Sequence, residues 1–241
     1  MTFNGSRYLG EEELTIARVS SHFCDWVESK TSSWAAVPRD TEEGVELHRR
    51  VLLRKGLFAP FHQEAFPFYR YLQVSGLVDS DYLCALKLDS SLHYDATLTG
   101  PDGQIQKFEI TQALEERYDV RIELLLDNGH VTATGKMAIS GTRRKGRIVQ
   151  VDEDMVCHEA TVAKACALVI QAVERKTIRR TENQNYTPDT KLLVAVDDYI
   201  IDEEDYESLE AAWSESTLAD QSTFSEVIVI GLSGRLLIRF L

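Results

Sequence analysis

The stretch LHYDATLTGPDGQIQKFEITQ, residues 92–112, decides how the fold is read. Two alternating runs flank Gly100-Pro101-Asp102-Gly103, which predicts a β-hairpin. With a three-residue loop at 101–103, Asp95 stands opposite Glu109. Strand alternation puts His93, Asp95, Thr97, Lys107, Glu109 and Thr111 on one face and Tyr94, Ala96, Leu98, Phe108 and Ile110 on the other. One face is oily and the other polar. Two carboxylates opposed across a strand pair repel, so the pair needs solvent, a shared proton or a cation. Opposed Cβ atoms lie about 5 Å apart, close enough for both acids to reach one divalent ion, and oxygen ligands suit Mg²⁺. The alternative is an ordinary amphipathic hairpin with a wet charged face, on which Lys107 balances Asp95 or Glu109.

The rest of the chain bounds these alternatives. Its 241 residues suffice for one large domain or two small ones. A hydrophobic fraction of 44% and a charged fraction of 27% are ordinary for a folded chain. No run approaches the ~18 apolar residues of a membrane span. The opening residues lack the basic-then-apolar pattern of a secretory signal, so a cytoplasmic protein is expected. Cys24, Cys84, Cys157 and Cys166 share no metal-like spacing and read as small apolar fillers. A net charge of −13 argues against a general nucleic-acid coat protein. It does not argue against an enzyme with a local basic groove. Basic residues do cluster, at Arg143, Arg144, Lys145 and Arg147 and again at Arg175, Lys176, Arg179 and Arg180.

In chain order, residues 11–29 predict an amphipathic helix. Residues 42–55 predict another, with Val45 and Leu52 inward and His48 at the boundary. The aromatic stretch 61–76 predicts helix on both sides of a kink at Pro67 and contains Glu64, a helix-start carboxylate on the plain reading. A short strand is expected over 83–88, then the hairpin, then a helix within 112–126. Residues 130–151 read as a loop or small accessory hairpin. The longest helix is expected at 156–181, acidic before its start and basic at its end as the macrodipole prefers. Its basic end is either that dipole match or a phosphate contact. The apolar run 191–196 predicts a fully buried strand, followed by a solvated acidic loop over 197–205, a helix over 207–220 and closing strands at 226–230 and 235–240. The acidic loop lacks the glycine and ligand spacing of a calcium loop. These elements predict an α/β fold with a mixed central sheet flanked by helices.

In this order the elements resemble the restriction-endonuclease-like, PD-(D/E)xK, nuclease superfamily over residues 60–241, with residues 1–59 as an N-terminal helical extension packed on that core. The resemblance implies that Asp95 and Glu109 hold Mg²⁺ or Mn²⁺, that Glu64 joins them from an early helix, and that a lysine two residues after the glutamate assists the attacking water. Here Thr111 stands at the lysine position. Gln112 and Lys176 resemble the substitutes found in some branches of the superfamily. The expected activity is metal-dependent hydrolysis of phosphodiester bonds in nucleic acid, with the two basic clusters on the flanking phosphates. Lys176, or Lys107 as the lesser candidate, would stabilise developing charge. Two rival expectations stand beside it. One is a nuclease-fold module that lost its chemistry with its lysine and binds nucleic acid or a protein partner. The other is an acidic decoy that uses residues 197–205 and 207–215 against a basic nucleic-acid enzyme.

Overall fold

The computed structural model describes residues 3, 5–89, 92–114, 118–128, 137–142, 146–151, 157–182, 189–198, 201 and 203–240. A 3₁₀ turn (Gly5–Arg7) leads into α1 (Glu11–Thr15), the short strand β1 (Arg18–Val19), α2 (Ser20–Ala35) and α3 (Glu42–Leu52). Then come α4 (Phe58–Pro60), a π-helical turn (Phe61–Ala65) and α5 (Phe66–Val74). The strands β2 (Leu83–Leu86), β3 (Ala96–Thr99) and β4 (Ile105–Ala113) precede α6 (Tyr118–Asn128). A separate antiparallel pair, β5 (Met137–Thr142) and β6 (Gly146–Val151), gives way to the long α7 (His158–Glu182). The chain closes with β7 (Thr190–Val196), a 3₁₀ turn (Glu203–Asp205), α8 (Tyr206–Glu215), α9 (Leu218–Gln221), β8 (Val227–Gly231) and β9 (Leu237–Phe240).

Seven strands form one mixed sheet in the order β1-β2-β3-β4-β7-β8-β9. The pairs β4–β7 and β7–β8 are parallel and the others antiparallel. Parallel neighbours need crossover connections, and α7 and α8 supply helices to them. The alternation of β7 explains its unbroken apolar run. Leu193 and Ala195 join a core with α2, α5, Phe108 and Ile110, while Leu192, Val194 and Val196 join a second core with α7 and α8. Both faces of the sheet are covered there, so every position from Leu192 to Val196 is oily.

The first core draws Leu14, Phe23, Val27, Trp34 and Leu47 from the first 59 residues together with Phe68, Leu98 and Phe108. The expected single helix over 11–29 is divided instead. Its middle pairs with β2, and the Ser20 N–H donates to the Tyr82 carbonyl (2.9 Å), because the open edge of β2 offers a ladder the helix cannot satisfy. In α3 the buried residues are Gly44 and Leu47, while Val45 and Leu52 are 55% and 38% exposed. His48 sits at the boundary as expected, its ring bonded to the Val37 carbonyl (2.9 Å). The irregularity expected at Pro67 falls just upstream of it. Pro67 occupies the first turn of α5, where a missing N–H costs least, and the preceding turn widens to π geometry.

Two further expectations are corrected. Cys157 is exposed, whereas Cys24, Cys84 and Cys166 are buried. The loop after β7 is not uniformly solvated: Asp198 is fully buried and accepts from the Ser233 amide (2.7 Å) and hydroxyl (2.5 Å). The β8–β9 turn thereby supplies the hydrogen bonds that a buried carboxylate requires. No helix among the described residues is long and apolar enough to cross a membrane.

Phe108 is the central test of this packing. It is fully buried, with ring centroids 5.3 Å from Phe68 and 5.2 Å from Tyr71. Phe108→Ala is expected to destabilise the protein by about 3–5 kcal/mol in denaturant titrations. At Ile105, 56% exposed on the same strand, the change to alanine should stay within about 0.5 kcal/mol. Equal effects at the two positions would contradict the assigned faces.

Candidate functional site

The hairpin keeps the register its loop length implies, with Ala96 facing Phe108 and Thr97 facing Lys107. At residue 95 the ladder departs from it. The Asp95 N–H donates to the Phe108 carbonyl (2.8 Å), and Asp95 Oδ2 accepts from the Ile110 N–H (2.7 Å). The Asp95 carboxylate therefore engages the backbone of β4 one residue past Glu109. The polar face is not wet. Helix α7 packs over it, and Thr97 and Glu109 are 8% and 6% exposed. Solvent screening is thus removed as a means of tolerating Glu109.

A cation from α7 meets the glutamate instead. Lys176 Nζ donates to Glu109 Oε1 at 2.6 Å, and both side chains are largely buried. Charge-assisted hydrogen bonds of this length are among the stronger ones. Lys107, the other candidate for balancing the acids, pairs elsewhere. Its ammonium lies 3.2 Å from Asp189 and over the ring of Tyr94.

Glu64 lies on the π-helical turn, a backbone device that often re-aims a side chain at a functional position. Its Oε2 is buried without a hydrogen-bond partner. Burial, and then the charge of Asp95, push its carboxyl up to about 8 against the pull of Lys176. Glu64 stands in the first turn of that π-helical element, as the helix-start reading expects, and its buried oxygen without a partner is the feature that reading leaves out. Burial also raises Asp95 to about 6, with Lys176 and the Ile110 amide opposing and Glu109 adding to the rise. The three acids and the lysine thus sense one another across four separate stretches of chain.

Glu64 and Asp95 stand between two cavities. One, of about 340 Å³, is lined by Arg54, Gln63, Glu64, Asp95, Ile110, Thr111, Gln112, Leu114, Arg175 and Lys176. The other, of about 430 Å³, is lined by Glu11, Leu57, Pro60, Lys87, Leu88, Asp89 and Leu92 with the same two carboxylates. The first gathers Glu64, Asp95, Thr111, Gln112, Arg175 and Lys176 from the sequence-predicted set, while Glu109 sits behind Lys176. Gln112 spans two segments, donating to the His62 carbonyl (2.6 Å) and accepting from Arg54. Arg143, Arg144 and Lys145 lie outside the described residues, as do the side chains of Arg147, Arg179 and Arg180. Sequence reasoning missed Arg54, since nothing in the pattern of residues 42–55 links it to Gln112, 58 positions later.

Comparison with protein-family models, curated proteins and solved structures returned no match. Among the described residues no group of three or more His, Cys, Asp or Glu is gathered to hold a metal ion. Mg²⁺ commonly takes only one or two carboxylates and completes its shell with water and phosphate oxygens. Glu64 and Asp95 fit that requirement: their donors are hard oxygens, one is buried without a partner, and both carboxyls are strained toward protonation.

The strain has a sign that can be measured. Unfolded, Glu64 ionises near 4.5; folded, it keeps its proton to about 8. Between those values folding takes up a proton, so stability falls as pH rises. Glu64→Gln retains the shape of the protonated acid without its titration. In EDTA it should unfold with the wild type near pH 5 and gain about 1–3 kcal/mol at pH 8.5, allowing for partial exposure. Each kcal/mol corresponds to ~2–4 °C in Tm for a chain of this size. A variant less stable than wild type at pH 8.5 would contradict the assigned environment.

Proposed function

We propose that this protein is a metal-dependent phosphodiesterase that hydrolyses nucleic acid, a divergent relative of the restriction-endonuclease-like nucleases. One observation carries the reading: Glu64, Asp95, Glu109 and Lys176 converge from the π turn, the loop before β3, the strand β4 and the helix α7. Lys176 in that position supports its role as the substitute for the lysine that Thr111 replaces. Asp95 and Glu64 would hold Mg²⁺ or Mn²⁺ from the cavity side, with Glu109 behind them. The ion would polarise a phosphoryl oxygen and lower the pKa of a bound water.

The chain's own groups supply the rest. Lys176 presents an ammonium, held in place by Glu109, to charge developing on the phosphoryl group. Asp95, raised to about 6 by burial, is still ionised at neutral pH, the form in which a carboxylate binds a hard cation. Thr111 and Gln112 line the floor, and Gln112 fixes the cavity wall by joining the backbone at His62 to Arg54. Substrate bound across this wall is oriented by fixed groups, which contributes through positioning.

A second reading has one observation in its favour. Lys176 neutralises Glu109 at 2.6 Å without any added cation, as a non-catalytic nuclease-fold module binding nucleic acid or a protein partner would permit. Calorimetry with Mn²⁺ divides the two readings, because a folded sample that gives no heat of binding leaves only the module.

Purified protein with Mg²⁺ or Mn²⁺ should cleave DNA or RNA. Asp95→Asn and Lys176→Gln should each lose at least about 10²-fold in kcat while remaining folded by circular dichroism. Absence of cleavage under both metals, or rates equal to those of Asp95→Asn, would overturn the proposal.

A further inference from the structure

One wall of the carboxylate cavity comes from the region before the nuclease-like core. Arg54 follows α3 with φ +50°, the one described non-glycine residue at positive φ. Such backbone disfavours an L side chain, and two positions later Gly56 adopts φ +61° without that penalty. A residue kept in a costly conformation where glycine would serve invites a reason in its side chain.

The side chain is held on two sides. Arg54 Nη1 donates to Gln112 Oε1, and the guanidinium carbon lies 4.6 Å from the Tyr118 ring centroid. Gln112 has no freedom to turn its amide over, because its nitrogen is spent on the His62 carbonyl. A guanidinium carries five N–H donors and Gln112 takes one, leaving the fork able to grip a second acceptor. Arg175 lines the same cavity from α7 and is exposed, bonded through Nε to the carbonyl one turn back (3.3 Å). Neither arginine lines the second cavity, whereas Glu64 and Asp95 line both. The second cavity sets Lys87 against Glu11 and Asp89, while the first has Arg54, Arg175 and Lys176 with no acid beyond the two shared carboxylates, so positive charge predominates on the Arg54 side. An anion is favoured there and repelled at the acids themselves.

We propose that Arg54 and Arg175 form a phosphate subsite that grips the backbone phosphate adjacent to the bond being hydrolysed, on the side away from Glu11 and Asp89. This rests on the nuclease reading for the identity of the polymer. The chemistry of the subsite, a tetrahedral oxyanion between two guanidinium groups, does not. The substrate is bound asymmetrically: its phosphate contacts lie on the Arg54 side, and the segment before residue 60 takes part in recognition.

The test is binding of a fluorescein-labelled oligonucleotide, single-stranded and duplex, with Ca²⁺ replacing Mg²⁺ to hold back cleavage, over a range of KCl. Arg54→Gly and Arg175→Ala should each weaken binding about tenfold and lower the slope of log K against log salt by about one. In Arg54→Gly the relief of the left-handed backbone is set against the lost Gln112 and Tyr118 contacts, so the discriminating readout is the salt slope, which a purely structural arginine would leave unchanged. In Mg²⁺ the loss should fall on KM and spare kcat at saturation. Oligonucleotide binding that ignores both arginines overturns the subsite and leaves the nuclease reading standing. A wild-type protein that binds no oligonucleotide, yet binds inorganic phosphate in a manner lost in both variants, overturns the nuclease reading and supports the subsite.

Discussion

The buried ion pair between Glu109 and Lys176 is the constraint on which the site depends. A carboxylate in the middle of a sheet, 6% exposed beneath a helix, cannot stay ionised alone. Removing one partner of a buried pair typically costs about 3–5 kcal/mol, because the survivor is left without compensation. The pair therefore fixes which turn of α7 lies over β4. With Lys176 set, its neighbour Arg175 falls at the mouth of the cavity. A hydrophobic contact would have held α7 to the sheet as firmly. An ionic one, beside Asp95 and Glu64, suits a place where charge is to be handled.

The environment divides the carboxylates by the balance of burial and partners. Asp95 has the Ile110 amide and Lys176 to stabilise its anion and is raised only to about 6. Glu64 has a buried oxygen without a partner, feels Asp95, and is raised to about 8. Neighbouring acids pushed to different proton affinities are a recurrent arrangement in proton-transfer sites. It is also what acids look like before a divalent cation relieves their repulsion.

Much of this was legible in residues 92–112. The loop fixed the register of β3 on β4, and alternation separated Phe108 from Glu109. The apolar run of β7 foretold a strand covered on both faces, and dipole-matched charges marked the ends of α7. What the pattern could not show was the third dimension of the polar face. Alternation says that Glu109 points away from the oily core, not that another helix waits on that side. The register that would set Asp95 opposite Glu109 holds as far as Ala96 and Phe108; there a local departure in the ladder sends the Asp95 carboxylate to the Ile110 amide. Asp198 was misread because a run of acids looks solvated until the turn at Ser233 is folded against it. Arg54 carried no local signal at all; only folding brings it to Gln112.

We propose that Glu64 and Asp95, backed by the Glu109–Lys176 pair, hold one divalent cation. The most direct measurement is the anomalous difference map of a crystal soaked in Mn²⁺. A single peak is expected within coordinating distance of Asp95 and Glu64, lost in Asp95→Asn crystals. A fully soaked crystal with no peak beside Asp95 and Glu64 would overturn it.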